Sequence, residues 1–187
     1  MNQNNIIEIL EKNPVIPVVT FENLSEVDSI LEKLLAQKIK CIEVTLRTKQ
    51  ALSCIQYIKE RYRDSVSVGV GTITKPEQVK KVEELNVDFL VSPGLSNTLA
   101  EAFLQTELPF IPGVSTPSEI IKAKEYGFTI LKFFPANLFG GIKALKTYGQ
   151  LFPDVRFCPT GGINENNYSD FLELPNVLSV GGSWIVK

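Results

Sequence analysis

The chain has 187 residues, 44% of them apolar and 21% charged, with a net charge of −2. That composition is ordinary for a folded, water-soluble domain, and so small a charge gives no electrostatic reason to expect nucleic acid or an anionic membrane as a partner. There is no histidine, which excludes Ser-His-Asp and Cys-His nucleophile pairs, imidazole-built metal sites and histidine acid–base chemistry.

The opening residues, Met1-Asn2-Gln3-Asn4-Asn5, are polar and uncharged and do not read as a secretory signal. No uninterrupted apolar run is long enough to span a bilayer. Cys41, Cys54 and Cys158 are odd in number and lack CxxC spacing, so they read as reduced thiols of a cytoplasmic protein. Residues 1–187 contain no Gly/Ser linker, low-complexity tract or charge block, and are read as one domain.

Ile6, Ile7, Ile9 and Leu10 predict a short leading helix that lays one face on the body. Apolar runs suited to strands then begin near Val15, Cys41, Val66, Val87, Phe110, Thr129, Val155 and Val177. Their spacing, roughly 20–26 residues, is that of one strand-plus-helix unit. Between the first two strands Val27, Ile30, Leu31, Leu34 and Leu35 recur at helical spacing. Three helix starts carry a capping pattern: Asn23-x-x-Glu26, Thr74-x-x-Glu77 and Thr116-x-x-Glu119, the last with Pro117 at the first helical position.

Alternating strands and helices require a parallel sheet, open or closed into a barrel. Parity along the strands favours closure. In the second strand Ile42, Val44 and Leu46 form one face, while Glu43, Thr45 and Arg47 form the other; in the sixth, Leu131 and Phe133 alternate with Ile130, Lys132 and Phe134. Ionisable residues confined to one face suit a lumen that is a site. The expectation is an α/β fold, a TIM (β/α)8 barrel with a leading N-terminal helix and a missing or shortened eighth helix, since little sequence follows Gly181-Gly182-Ser183. An oligomer neighbour or the leading helix would then cover the outer face of strands eight and one.

Lys132 lies in the middle of the apolar run Thr129–Asn137. Burial disfavours an unpaired ammonium, and a neutral amine is a nucleophile for carbonyl carbon. The bland alternative is a lysine paired with Glu43 for structure alone. Barrels of this kind build their sites at the C-terminal ends of strands, which gathers Glu43, Arg47, Thr72, Pro93, Lys132, Phe134, Thr160 and Ser183. Gly161-Gly162 and Gly181-Gly182-Ser183 fall in the two loops where such barrels commonly bind phosphate, although paired glycines can also be simple turn residues. Gly69-Val70-Gly71 lacks the dinucleotide fingerprint and carries no reading of its own. Phe133, Trp184, Tyr148 and Tyr168 read as packing residues; Arg61, Arg63, Lys80 and Lys81 read as solvated helix faces.

Seven stretches, in order, resemble the bacterial 2-keto-3-deoxy-6-phosphogluconate (KDPG) aldolase / 4-hydroxy-2-oxoglutarate aldolase family. They are Glu43-Val44-Thr45-Leu46-Arg47-Thr48, Gly69-Val70-Gly71-Thr72, Val91-Ser92-Pro93-Gly94, Pro112 to Glu119, Lys132-Phe133-Phe134-Pro135-Ala136, Pro159-Thr160-Gly161-Gly162-Ile163 and Gly181-Gly182-Ser183-Trp184. The resemblance implies a metal-independent, cofactor-free Schiff-base aldolase of the Entner–Doudoroff type. It would cleave 2-dehydro-3-deoxy-6-phosphogluconate to pyruvate and D-glyceraldehyde 3-phosphate, and 4-hydroxy-2-oxoglutarate to pyruvate and glyoxylate. Lys132 would form the imine and Glu43 would shuttle protons. Arg47 and Thr72 would hold the carboxylate, Pro93 and Phe134 would line the pocket, and Thr160, Gly161, Gly162, Gly181, Gly182 and Ser183 would hold the phosphate end. The resemblance also implies a homotrimer acting on small 2-keto acids and sugar-acid phosphates, with no nucleic-acid or membrane partner. Asn137 departs from the acid that relatives often carry there. The competing expectation is a non-catalytic barrel that binds a sugar phosphate, weakened by the short C-terminus.

Overall fold

The computed structural model describes residues 3–186. The strands are β1 (Val15–Val19), β2 (Cys41–Thr45), β3 (Ser67–Gly71), β4 (Phe89–Val91), β5 (Phe110–Ile111), β6 (Gly113–Val114), β7 (Ile130–Phe133), β8 (Arg156–Pro159) and β9 (Val180–Gly182). The helices are α1 (Gln3–Lys12), α2 (Val27–Ala36), α3 (Ala51–Arg61), α4 (Pro76–Glu83), α5 (Asn97–Gln105), α6 (Pro117–Glu125), α7 (Gly141–Leu151) and α8 (Tyr168–Leu172), with 3-10 turns at Leu24–Glu26 and Trp184–Val186. Each expected strand start lies within three residues of an observed one. The fifth is split at Pro112, which has no N–H to give a ladder.

Every strand pairing is parallel. One sheet runs β5-β4-β3-β2-β1-β9 and the other β6-β7-β8. They meet covalently through Pro112 and again where Thr160 bridges Gly181 and Phe157 bridges Val177. The result is an α/β fold of parallel strands curled around a shared interior.

Period-2 alternation sorts side chains between two apolar clusters. Outward residues such as Ile42, Val44, Val68, Val70, Leu131 and Phe133 pack under the helices, against Leu31, Ile55, Val82, Ala100, Ile120 and Leu145. Inward residues Ile16, Cys41, Phe89, Val91, Ile111 and Ile130 form a second cluster with Ile6 and Leu10 of α1. The leading helix therefore closes the N-terminal end of the interior instead of covering the outer face of the first and last strands. Gln3 fixes it there. Its Nε2 donates to the carbonyls of Phe110 and Ile130 at 3.0 and 3.1 Å, and its Oε1 accepts from the amides of Thr129 and Ile130 at 2.8 and 3.1 Å. A side-chain amide thus stands in for the ladder missing between β5 and β7, with its donors and acceptor satisfied.

Of the three capping patterns, only Thr116/Glu119 forms as read. The Glu119 amide donates to Thr116 Oγ1 at 3.4 Å, and the Thr116 amide donates to Glu119 Oε2 at 2.8 Å. The second is displaced by one residue. Gln78, not Glu77, accepts from the amides of Lys75 and Thr74 at 2.9 and 2.8 Å, because α4 starts at Pro76 and Lys75 becomes its N-cap. Asn23 precedes a 3-10 turn and makes no side-chain cap.

Candidate active site

In parallel strands all C-terminal ends lie on one side, so the sequence-predicted residues gather there. Glu43 lies on β2 and Lys132 on β7, which are neighbours in neither sheet. They meet across the interior: Lys132 Nζ donates to Glu43 Oε1 at 2.9 Å and to Oε2 at 3.1 Å. Each residue is only 5% exposed, so the pair is a desolvated acid and base in direct contact. Lys132 Nζ also sits 5.3 Å from the centroid of the Phe134 ring.

At the mouth, Arg47 Nε donates to Thr72 Oγ1 at 3.2 Å. Thr72 takes a φ of 62°, a left-handed conformation unusual for a β-branched residue. The exposed guanidinium keeps its terminal nitrogens available for a planar anion. Pro93 lies on the β4–α5 connection, and its carbonyl occupies the space that a side chain at Gly113 would need.

Thr160 follows β8 directly. Its Oγ1 is buried and, among the described residues, has no hydrogen-bond partner. A Cβ on Gly181 would collide with that oxygen, so glycine here keeps space around the hydroxyl. Gly181 and Gly182 belong to β9 itself, not to a turn after it as expected; Gly182 makes room for the Trp184 ring. Gly161 and Gly162 do form a turn, at φ of 101° and 71°, angles that glycine adopts without strain. Ser183 is exposed at the end of β9.

Several hydrogen bonds that support the site carried no signal in the sequence. Thr45 Oγ1 lies 2.7 Å from Thr20 Oγ1. Tyr148 donates to the Ser115 carbonyl at 3.0 Å, and Ser115 Oγ donates to the Phe134 carbonyl at 2.6 Å, a chain that holds the backbone two residues past Lys132. Ser179 Oγ donates to Cys158 Sγ at 3.1 Å, and Cys158 is the register partner of Lys132. Burial pushes the Cys158 thiol up to about 11, against the Ser179 hydrogen bond and the nearby Lys132 charge. These links join strands far apart in the chain, so no local pattern announces them. Arg61, read as a solvated helix face, is exposed and pairs at the surface with Asp28 at 3.5 Å.

A family profile described as "Aldolase: KDPG and KHG aldolase" matches residues 6–187. The chain belongs to this family. It is therefore an enzyme of the lyase class. It is 42% identical over 179 residues to the 2-dehydro-3-deoxy-phosphogluconate aldolase of Dickeya dadantii (strain 3937), covering 96% of this chain and 84% of that relative. To the KHG/KDPG aldolase of Escherichia coli (strain K12) it is 42% identical over 178 residues, covering 95% and 83%. Among solved structures it superposes with a TM-score of 0.92 on the Legionella pneumophila KDPG aldolase, in which pyruvate was captured at low pH as a covalent carbinolamine intermediate; identity there is 40%, covering 95% of this chain and 86% of that one.

Proposed function

We propose that this family member is a class I aldolase. It cleaves 2-dehydro-3-deoxy-6-phosphogluconate to pyruvate and D-glyceraldehyde 3-phosphate, and 4-hydroxy-2-oxoglutarate to pyruvate and glyoxylate, through an imine on Lys132 and without a metal. The observation that carries this reading is the contact of Lys132 Nζ with both Glu43 oxygens inside a desolvated interior. The relative named KHG/KDPG aldolase supports the two substrates, and the carbinolamine of the Legionella protein supports a covalent amine adduct.

The steps follow from that contact. Glu43 takes a proton from the Lys132 ammonium, and the freed lone pair attacks the keto carbon of the substrate. Internal proton transfer gives the carbinolamine. The Glu43 carboxyl then protonates its hydroxyl, water leaves, and an iminium and a carboxylate remain. Glu43 next removes the proton of the C4 hydroxyl, the C3–C4 bond breaks, and its electron pair moves to the iminium nitrogen as the enamine forms. The aldehyde departs. Glu43 returns the proton to C3, and water hydrolyses the iminium to release pyruvate.

Arg47, held by Thr72, receives the substrate carboxylate as a planar fork. Phe134 and Pro93 line the reacting end. The distal phosphate is taken by Thr160, Ser183 and the glycine-bearing segments Gly161-Gly162 and Gly181-Gly182. The two sheets act as one eight-position barrel within a single domain, with α1 at its N-terminal end, so that this mouth is the entrance. No observation favours the non-catalytic alternative.

The test is pyruvate release from both substrates. The wild-type protein should release it at a rate unchanged by a chelator, and Lys132→Ala should lose at least about a thousandfold in turnover. Turnover that survives Lys132→Ala, or that stops with the chelator and returns with a divalent metal, would overturn the reading.

A further inference from the structure

The motif Gly69-Val70-Gly71 is left without a role by the reaction as derived. Both glycines lie on β3 beside β2, with Glu43 in register with Gly69 and Thr45 in register with Gly71. By parity both point inward, on the face that holds Glu43. A Cβ on Gly69 would collide with the Phe89 ring. A Cβ on Gly71 would collide with Glu43 Oε1 and come within 2.6 Å of its Cδ and 2.7 Å of its Cγ. The Glu43 side chain therefore leans diagonally along its strand and lies over bare backbone at Gly71. From there it reaches Lys132 on the far side of the interior.

We infer that Gly71 is a positioning residue for proton transfer: its missing side chain is the socket that lets the Glu43 carboxyl meet Lys132. The backbone wall of the socket is held in place. The Gly71 carbonyl accepts from the Leu46 amide at 2.9 Å, which pins this stretch of β3 to β2. Gly71 does not adopt a positive φ, so its backbone does not require glycine, and the three atoms nearest an added Cβ all belong to the Glu43 side chain. An alanine methyl would displace Oε1, Cδ and Cγ together, so the carboxyl would have to leave the position from which it meets Lys132. Proton transfer falls steeply with misplacement of the acid or base.

The inference rests on Glu43 being the proton shuttle, and the experiment separates the two claims. Wild type, Gly71→Ala, Glu43→Ala and the double variant are compared by two readouts. One is hydrogen exchange at the methyl group of pyruvate; the other is the pyruvate adduct trapped on Lys132 by borohydride. Gly71→Ala should slow exchange about a hundredfold while still yielding the trapped adduct. In the Glu43→Ala background, where the socket is empty, the same substitution should change exchange less than about threefold, the non-additivity of two residues that act through one contact. Exchange within threefold of wild type in Gly71→Ala, or an equal loss in both backgrounds, would overturn the inference. Wild-type exchange in Glu43→Ala would instead overturn the role of Glu43. If Gly71→Ala does not fold, the double variant, which has room for the methyl, should fold; its failure to do so would also overturn the inference.

Discussion

Thr160 Oγ1 is a buried hydroxyl with no hydrogen-bond partner among the described residues. A hydroxyl so placed has its bonding capacity free for a ligand oxygen. Thr160→Val keeps the shape and removes the polar atom. It should lower kcat/KM for the phosphorylated substrate about tenfold, the loss of one hydrogen bond to a charged group; an unchanged kcat/KM would refute this. Cys158 gives a second prediction. Its thiol ordinarily ionises near 9 and in the fold is pushed up to about 11 by burial. Above 9 the unfolded chain loses this proton before the native one does, so the stability contributed by the neutral thiol is whole below about 9 and is lost as pH rises through about 11. The loss amounts to about 3 kcal/mol over that window. Urea midpoints should fall less steeply between pH 9 and 11 for Cys158→Ala than for wild type, and equal slopes would contradict the assignment.

At the scale of elements, the alternation of Glu43 and Thr45 with Ile42 and Val44 suffices to separate an inner from an outer face, because a strand has period 2 and only one of its faces can take charge. The same logic reaches Lys132 from its apolar neighbours. It does not reach Gly71 or Gln3. Whether a glycine makes room for a neighbour depends on which residue the next strand sets beside it, and that register is decided by the whole sheet. Gln3 belongs to a helix whose apolar side reads as a generic amphipathic face, yet it docks at the end of the interior and completes the seam between β5 and β7. Thr74-x-x-Glu77 misleads for a related reason: Pro76 sets the first turn, so Gln78 supplies the cap. Four hydrogen bonds of ordinary net worth, three buried and one partly buried, imply that Gln3→Ala lowers stability by about 3 kcal/mol. Loss of protection should concentrate in hydrogen exchange at the Thr129 and Ile130 amides; a change below about 0.5 kcal/mol would show that the seam does not need this residue.

For the molecule as a whole, parallel strands that share one interior bring residues of widely separated segments to one end. The absence of histidine leaves carboxylate and lysine to carry the chemistry there. Membership of the KDPG and KHG aldolase family and the Lys132–Glu43 contact point to one central claim, that the amine of Lys132 bonds covalently to the keto carbon of the substrate. The most direct measurement is incubation with pyruvate, reduction with borohydride, and peptide mass mapping. The account predicts one reduced pyruvate adduct per chain, located at Lys132 and absent from Lys132→Ala. An unmodified Lys132 under conditions where the enzyme turns over would contradict it.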